Sequence, residues 1–279
     1  MFLDCAGKSL DLSAPTVMGI LNVTPDSFSD GGKFNSVDKA VQQAGAMLQD
    51  GASIIDIGGE STRPGAQPVS IQQELDRVLP VIEAIHRELD VIISIDTHKP
   101  VVMQAAVASG AGLINDVNAL RTDNAVEVAA ACRVPVCLMH MQGTPQTMQN
   151  EPSYHDVVAE VKSFLAQRIE VCEAAGISRQ QIILDPGFGF GKRARHNLRL
   201  MKHLSEFQSL ALPLLVGVSR KSIIGETLNL PVEQRLAGSL ALASLAIWQG
   251  ASIIRSHDVR ETVQAVKLCQ SVMQVEDFD

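Results

Sequence analysis

The chain has 279 residues, 46% of them hydrophobic and 19% charged, with a formal net charge of −8. That length supports one domain with a large core. The acidic balance, with no dense Lys/Arg stripe, excludes the phosphate-neutralising footprint of a nucleic-acid binder.

No run of about 18 apolar residues occurs, and the N-terminus lacks a basic region followed by an apolar core. A soluble, cytoplasmic protein is therefore expected. Aromatic residues make up only 4%, so the core must come from Val, Ile, Leu, Ala and Met, the filling of parallel strands buried on both faces. Cys5, Cys132, Cys137, Cys172 and Cys269 are odd in number and form no CxxC pair, which predicts buried free thiols in a reducing compartment.

Along the chain, short apolar runs alternate with longer stretches of helical period. Val17 to Leu21 ends on Asn22 and enters a long Gly- and Ser-containing loop, Thr24 to Asn35. A helix start is expected at Ser36, with Asp38 and Lys39 after it. Ser53 to Ile57 contains Asp56 and leads into a second long loop, Gly58 to Ser70, where Ser70, Gln73 and Glu74 predict a capped helix start. Ile92 to Ile95 ends on Asp96, and Leu113 to Ile114 runs into Asn115 and Asp116. Val136 to Met139 precedes His140, and a further helix start is expected at Ser153. Ile182 to Leu184 ends on Asp185 and the Gly-rich string Asp185-Pro186-Gly187-Phe188-Gly189-Phe190-Gly191-Lys192. Leu214 to Val218 meets Ser219-Arg220-Lys221-Ser222, and Ser252 to Ile254 is followed by Arg255 and His257.

Eight strand-then-helix units imply parallel strands with right-handed crossovers, and predict a closed (β/α)8 TIM barrel as a single domain over residues 1–279. A weak repeat agrees: Gly51 to Asp56, Gly110 to Asn115 and Gly250 to Arg255 each run from a glycine through an apolar strand to a polar end.

In such a barrel the C-terminal strand ends form the active-site rim. Asn22, Asp56, Asp96, Asn115, Asp116, Asp185, Arg255 and His257 all fall there. For any single Asp, capping the next turn is an equally good account; for the whole set it is not. Asp96, Asn115 and Asp185 suit a flat heterocycle such as a pterin edge, since carboxylates accept from ring N–H and amino groups while an amide does both. Lys221 lies where a Ser-capped helix start would favour an anion. Arg63, Arg255 and His257, with Asn22, supply donors for a pyrophosphate and its metal. Phe190 is read as facing a ligand, and Met139 as the methionine touching a ring. The Gly-rich string lacks Walker A and dinucleotide spacing. Ser219 stands outside a GxSxG elbow, no cysteine has a local partner, and His140 with Cys137 makes no zinc motif, so acyl-enzyme and zinc chemistry are not expected.

Eight strings in order, each after a predicted strand, carry a resemblance to the bacterial dihydropteroate synthase family over nearly the entire chain. They are Gly19 to Gly32, Asp56 to Gly65, Ser94-Ile95-Asp96-Thr97, Asn115-Asp116-Val117, Met139-His140-Met141, Asp185 to Lys192, Ser219 to Ser222 and His257-Asp258-Val259. The resemblance implies condensation of a pterin pyrophosphate with p-aminobenzoate in folate synthesis. It implies a pterin held by Asp96, Asn115, Asp185 and Lys221, with Arg255 against the ring. It further implies pyrophosphate at Asn22, Arg63, Arg255 and His257, and Mg²⁺ at Asn22. Phe28, Thr62, Pro64, Phe190 and Ser219 are implied around p-aminobenzoate, and a homodimer through helices of the outer wall. Ser256 departs from the family, many members of which carry Val there; alternation points it away from the mouth.

Rival readings are a pterin-dependent methyltransferase domain, which would not need Arg63 or a pyrophosphate site, and a non-catalytic pterin-binding barrel, which would release no pyrophosphate.

Overall fold

The computed structural model describes residues 1–24, 33–61, 65–144, 146–148 and 151–275, with backbone only for 33–35. Two short strands, β1 (Phe2–Cys5) and β2 (Lys8–Asp11), open the chain as an antiparallel hairpin. Eight strands follow: β3 (Thr16–Asn22), β4 (Ile54–Gly58), β5 (Ile92–Asp96), β6 (Leu113–Asp116), β7 (Val136–Met139), β8 (Ile182–Asp185), β9 (Leu215–Val216) and β10 (Ile253–Ser256). All neighbours pair in parallel, from β3 through to β8 and from β9 through β10 back to β3. A parallel bridge between Leu184 and Leu214 joins β8 to the β9 side and completes the ring. The expected (β/α)8 barrel is what forms.

Among the described residues the helices are α1 (Lys33–Gln49), α2 (Ile71–Glu88), α3 (Pro100–Ala108), α4 (Ala125–Cys132), α5 (Val157–Ala174), α6 (Ala194–Lys202), α7 (Ser222–Leu228), α8 (Leu236–Trp248) and α9 (Val259–Met273). At α2 the expected capping box is present: Ser70 Oγ accepts from Gln73 N–H at 3.2 Å, and Gln73 Oε1 accepts from Ser70 N–H at 2.9 Å. The other two helix starts differ from the sequence reading. Helix α1 begins at Lys33, so Ser36 lies inside it. Helix α5 begins at Val157 because Asp156, not Ser153, accepts from Val158 and Ala159 N–H. A carboxylate at the cap outbid a hydroxyl three residues earlier, being both acceptor and charge at the positive helix end.

Strand alternation sorts the barrel into an outside that meets the helices and an inside that fills the bore. At the bottom, Met18, Ile54, Ile92, Leu113, Cys137, Ile183, Leu215 and Ile253 form an inner layer, one from each strand. The hairpin's Leu3, Cys5 and Leu10 pack into that same layer and plug the barrel's lower end. Its two-residue turn places Ala6 and Gly7 at φ 55° and 85°, the twist that right-handed hairpins prefer. Gly112 permits the approach, since a Cβ there would sit 2.5 Å from Cys5 O. Leu3 is 2% exposed; Leu3→Ala should lower unfolding free energy by about 3 kcal/mol through lost burial and a residual cavity. Urea unfolding would measure this, and turnover per folded molecule should stay unchanged.

All five cysteines are free; Cys5, Cys137 and Cys172 are buried, whereas Cys132 and Cys269 are only half-buried, against the expectation for those two. Burial pushes the thiols of Cys5 and Cys172 up to about 12 and about 11, which keeps both as thiols rather than nucleophilic thiolates.

Candidate active site

Two residues above the lower layer on the inward tracks, five of the eight positions turn polar, Asp56, Ser94, Asn115, Asp185 and Arg255, beside Ile20, Met139 and Gly217. One step higher stand Asn22, Asp96, Ser219 and His257. The polar strand tips expected from sequence, Asp116 excepted, therefore share one mouth, at the C-terminal end of the barrel.

Arg255 is the hub. Its Nε donates to Asp56 Oδ2 at 2.6 Å and its Nη2 to Asp96 Oδ2 at 2.8 Å. Asn115 Nδ2 donates to the same Asp56 oxygen at 3.1 Å. Asp56 and Asp96 each keep Oδ1 buried without a hydrogen-bond partner among the described residues. Burial pushes the Asp96 carboxyl up to about 7, helped by the Asp56, Glu74 and Asp116 charges and opposed by Arg255. Burial works against the Arg255 charge too, but Asp56 and Asp96 outweigh it and hold the guanidinium above its ordinary range.

Opposite this group lies Asp185, also raised by burial while the Lys221 cation acts to lower it. Its Oδ1 accepts from Gly187 N–H at 2.7 Å. Lys221 donates to the Phe188 carbonyl, and its Nζ stands 4.4 Å from the centre of the Phe190 ring. Burial lowers its amine to about 8. Phe190 packs in turn against Val117, Met139, Met141 and Met148, so Met139 lines the wall as expected.

At the rim, Ser219 Oγ and His257 Nδ1 lie 3.0 Å apart, and His257 N–H donates to the same hydroxyl at 3.2 Å. This corrects the expected Ser cap at the following turn: α7 starts with Lys221 at its cap position and no side-chain cap bond, because the Ser219 hydroxyl turns towards His257. Arg220 lies between them at φ 57° and is fixed by Asp258, with Arg220 Nε 3.0 Å from Asp258 Oδ2. Asn22 borders the same space, its Oδ1 3.8 Å from where a Gly58 side chain would begin and the Asp96 carboxylate 3.7 Å from that point.

Two sequence readings change. Asp116 is at a strand end but on the outward track; it is fully buried and accepts from Asn118 and Leu120 N–H, both at 2.7 Å. It caps the next turn and does not face the mouth. Asp56, noted in sequence only as one rim carboxylate, is the common acceptor for Arg255 and Asn115. Its signal was available: it shares the inward track of Ile54, two residues on. Sequence reasoning also missed Lys99, whose Nζ is 2.6 Å from Glu74 and 3.1 Å from Glu60, pinning the base of the second long loop. Ser256 is buried and faces α9, accepting from Thr262 Oγ1 at 2.8 Å, as alternation required. Phe28, Thr62, Arg63 and Pro64 lie outside the described residues.

Magnesium prefers hard oxygen donors and retains water and substrate phosphates rather than needing an all-protein cage. The Asn22 amide oxygen at the rim fits that requirement. Among the described residues no cluster of three His, Cys, Asp or Glu forms a metal cage.

Residues 18–257 match the family described as pterin binding enzyme. The dihydropteroate synthase of Escherichia coli strain K12 is 54% identical over 277 residues, covering 99% of this chain and 98% of that one. The crystal structure of Yersinia pestis dihydropteroate synthase in a sulfonamide drug complex superposes with a TM-score of 0.94 at 54% identity, covering 99% of this chain and 100% of that one. The Xanthomonas albilineans enzyme in complex with 7,8-dihydropteroate gives 0.90 at 47% identity, with coverage of 99% and 100%. A barrel with one acidic and cationic mouth, matched across its entire length by these proteins, belongs to the pterin binding enzyme family and, within it, to the dihydropteroate synthases.

Proposed function

We propose that the protein condenses 6-hydroxymethyl-7,8-dihydropterin pyrophosphate with p-aminobenzoate, giving 7,8-dihydropteroate and pyrophosphate. The observation that supports this best is the single mouth in which Arg255 donates to both Asp56 and Asp96 and Asn115 donates to Asp56, with Asp185 and Lys221 facing them. That set offers acceptors for ring N–H and amino groups and donors for ring oxygen and nitrogen. The guanidinium plane of Arg255 is suited to lie along the bicyclic ring, with Met139 on the wall.

Asn22, Arg63, Arg255 and His257 serve the pyrophosphate. Ser219 receives the p-aminobenzoate carboxylate, with Phe190, Phe28, Thr62 and Pro64 around the ring; for Phe28, Thr62, Arg63 and Pro64 these roles rest on the family resemblance alone. Asn22, together with the diphosphate, would hold Mg²⁺, which when bound would supply charge neutralisation for the leaving group. In the reaction the bond from the pterin methylene carbon to the pyrophosphate oxygen breaks, its electron pair departing on oxygen. The arylamine lone pair then forms the C–N bond, and the proton lost from nitrogen passes to solvent or to the departing pyrophosphate. Arg255 and His257 are placed to stabilise the leaving oxygens. A neutral arylamine needs little general-base help, because its nitrogen lone pair is already nucleophilic. A sulfonamide drug, such as the Yersinia pestis enzyme binds, is a ligand for this chain as well.

The test is a pyrophosphate-release assay with and without p-aminobenzoate. Release tied to formation of the arylamine adduct supports the reading; pterin uptake with no release would leave a binding barrel. Release of pyrophosphate before any p-aminobenzoate is added supports departure ahead of attack, and strict dependence on the amine opposes it.

The working form is a homodimer in the cytoplasm, a compartment suited to five free cysteines. No helix among the described residues is long and apolar enough to cross a membrane. Leu245 and Trp248 on α8, with Leu268 and Val272 on α9, are large apolar side chains each more than half exposed. These two helices pack side by side, and a second copy covering them explains such exposure. Trp248→Glu is expected to yield a monomer in analytical ultracentrifugation; an unchanged dimer would place the interface elsewhere.

A further inference from the structure

Lys192 ends the Gly-rich string yet is only 3% exposed, and among the described residues it forms no ion pair. Its ammonium is saturated instead by backbone: Gly187 O at 2.8 Å, Phe190 O at 3.0 Å and His140 O at 3.3 Å, with His140 Nδ1 at 2.9 Å. Burying an ammonium is costly, and burial lowers the Lys192 amine well below its ordinary range, with Asp185 acting against that; four acceptors surround its donors. Burial lowers the His140 ring to about 2, so it stays neutral and its Nδ1 can accept.

The carbonyls so gathered belong to the turn after β8 and to the end of β7. The turn is made to be drawn in: Gly187 and Gly191 have φ of 71° and 61°, and a Cβ at Gly187 would stand 1.9 Å from His140 O. Between these glycines lie the two groups that hold Lys221, the Phe188 carbonyl and the Phe190 ring.

We propose that Lys192 is a positioning residue for the reaction: by gathering the carbonyls of His140, Gly187 and Phe190, it sets the turn that holds Lys221 at the pterin edge. This rests on the proposed role of Lys221. A lysine that merely filled the core would affect stability and leave turnover per folded molecule unchanged. A lysine acting through Lys221 has nothing left to act on once Lys221 is gone, so the two losses should not multiply.

The experiment is a double-mutant cycle of Lys192→Met and Lys221→Met in the full chain, reading kcat/KM for the pterin pyrophosphate and Tm in parallel. Lys192→Met should lose at least tenfold, chiefly through KM for the pterin, while the double variant stays within twofold of Lys221→Met. Multiplying losses, or a Lys192→Met enzyme within threefold of wild type, overturns the inference. Should Lys192→Met not fold, Lys192→Gln, which keeps two N–H donors, enters the same cycle under the same criteria. Wild type that forms no arylamine adduct with both substrates present would remove the proposed reaction itself, and a fully active Lys221→Met would remove the role of Lys221; both are distinct from failure of the cycle.

Discussion

Arg255→Ala is expected to lower kcat/KM by about a hundredfold, close to 2.7 kcal/mol of transition-state stabilisation. Among the described residues only the guanidinium bridges Asp56 and Asp96, and removing it leaves two carboxylates in the bore without that cation between them. Breaking a buried pair by deleting one partner typically destabilises by about 3 kcal/mol, and the 21% exposure of Arg255 reduces that figure. The sign of the pH effect follows from Asp96. Its folded carboxyl, raised to about 7, favours the folded state fully below the unfolded value near 4, and that advantage fades as pH rises through 7. Without Arg255 the carboxyl is pushed higher still, so the stability deficit of the variant should be larger at pH 8 than at pH 5. Denaturant unfolding at both values checks this; an equal deficit would mean that the carboxylates do not feel Arg255. Arg255→Lys should fail to rescue, since a single ammonium cannot hold two carboxylates on different strands as a planar fork does.

Lys221→Ala should lose more than tenfold in kcat/KM, above about 1.4 kcal/mol. Wild-type kcat/KM should also fall on the alkaline side with a midpoint near the value of about 8 set by burial, because only the ammonium donates fully to the ring. Stability moves the opposite way. A lysine whose folded value lies below its unfolded value contributes stability above about 10.4 and loses it as pH falls through 8. Lys221→Met should therefore leave the unliganded protein more stable at pH 7 while crippling it as an enzyme, a trade frequent at sites built for ligands. Thermal melts at pH 7 and pH 10 decide the point: a destabilised variant at neutral pH would show that Lys221 is fully compensated without a ligand.

Much of the architecture was legible because its signals are local and periodic. Apolar runs at barrel spacing gave the eight strands, and alternation within them predicted that Arg255 and His257 face one way and Ser256 the other. Ser70 and Gln73 made their capping box because both partners lie within one helical turn. Less legible were features settled by competition between near neighbours or distant segments. Ser153 lost the cap to Asp156, and the opening hairpin's strands, Phe2–Cys5 and Lys8–Asp11, carry no unbroken apolar run of the kind that marks the barrel strands. Its destination, the barrel floor, depends on contacts with every strand of the bore.

The candidate site divides in the same way. Residue type and strand position, together with the family's ordered strings, determined which side chains compose the mouth: Asp96, Asn115, Asp185, Lys221, Arg255 and His257 are all there. Only the closed barrel decided their partnerships. Arg255 reaches Asp56 across 199 positions and Asp96 across 159, separations at which no local pattern carries information. The same closure turned Asp116 outward beside Asn115, drew the Ser219 hydroxyl to His257, and folded Lys192 beneath the turn that carries Phe188 and Phe190. Sequence sets which way each residue alternates along its own strand; which groups then meet depends on the stagger of strands around a ring, and that is fixed by packing the whole bore at once.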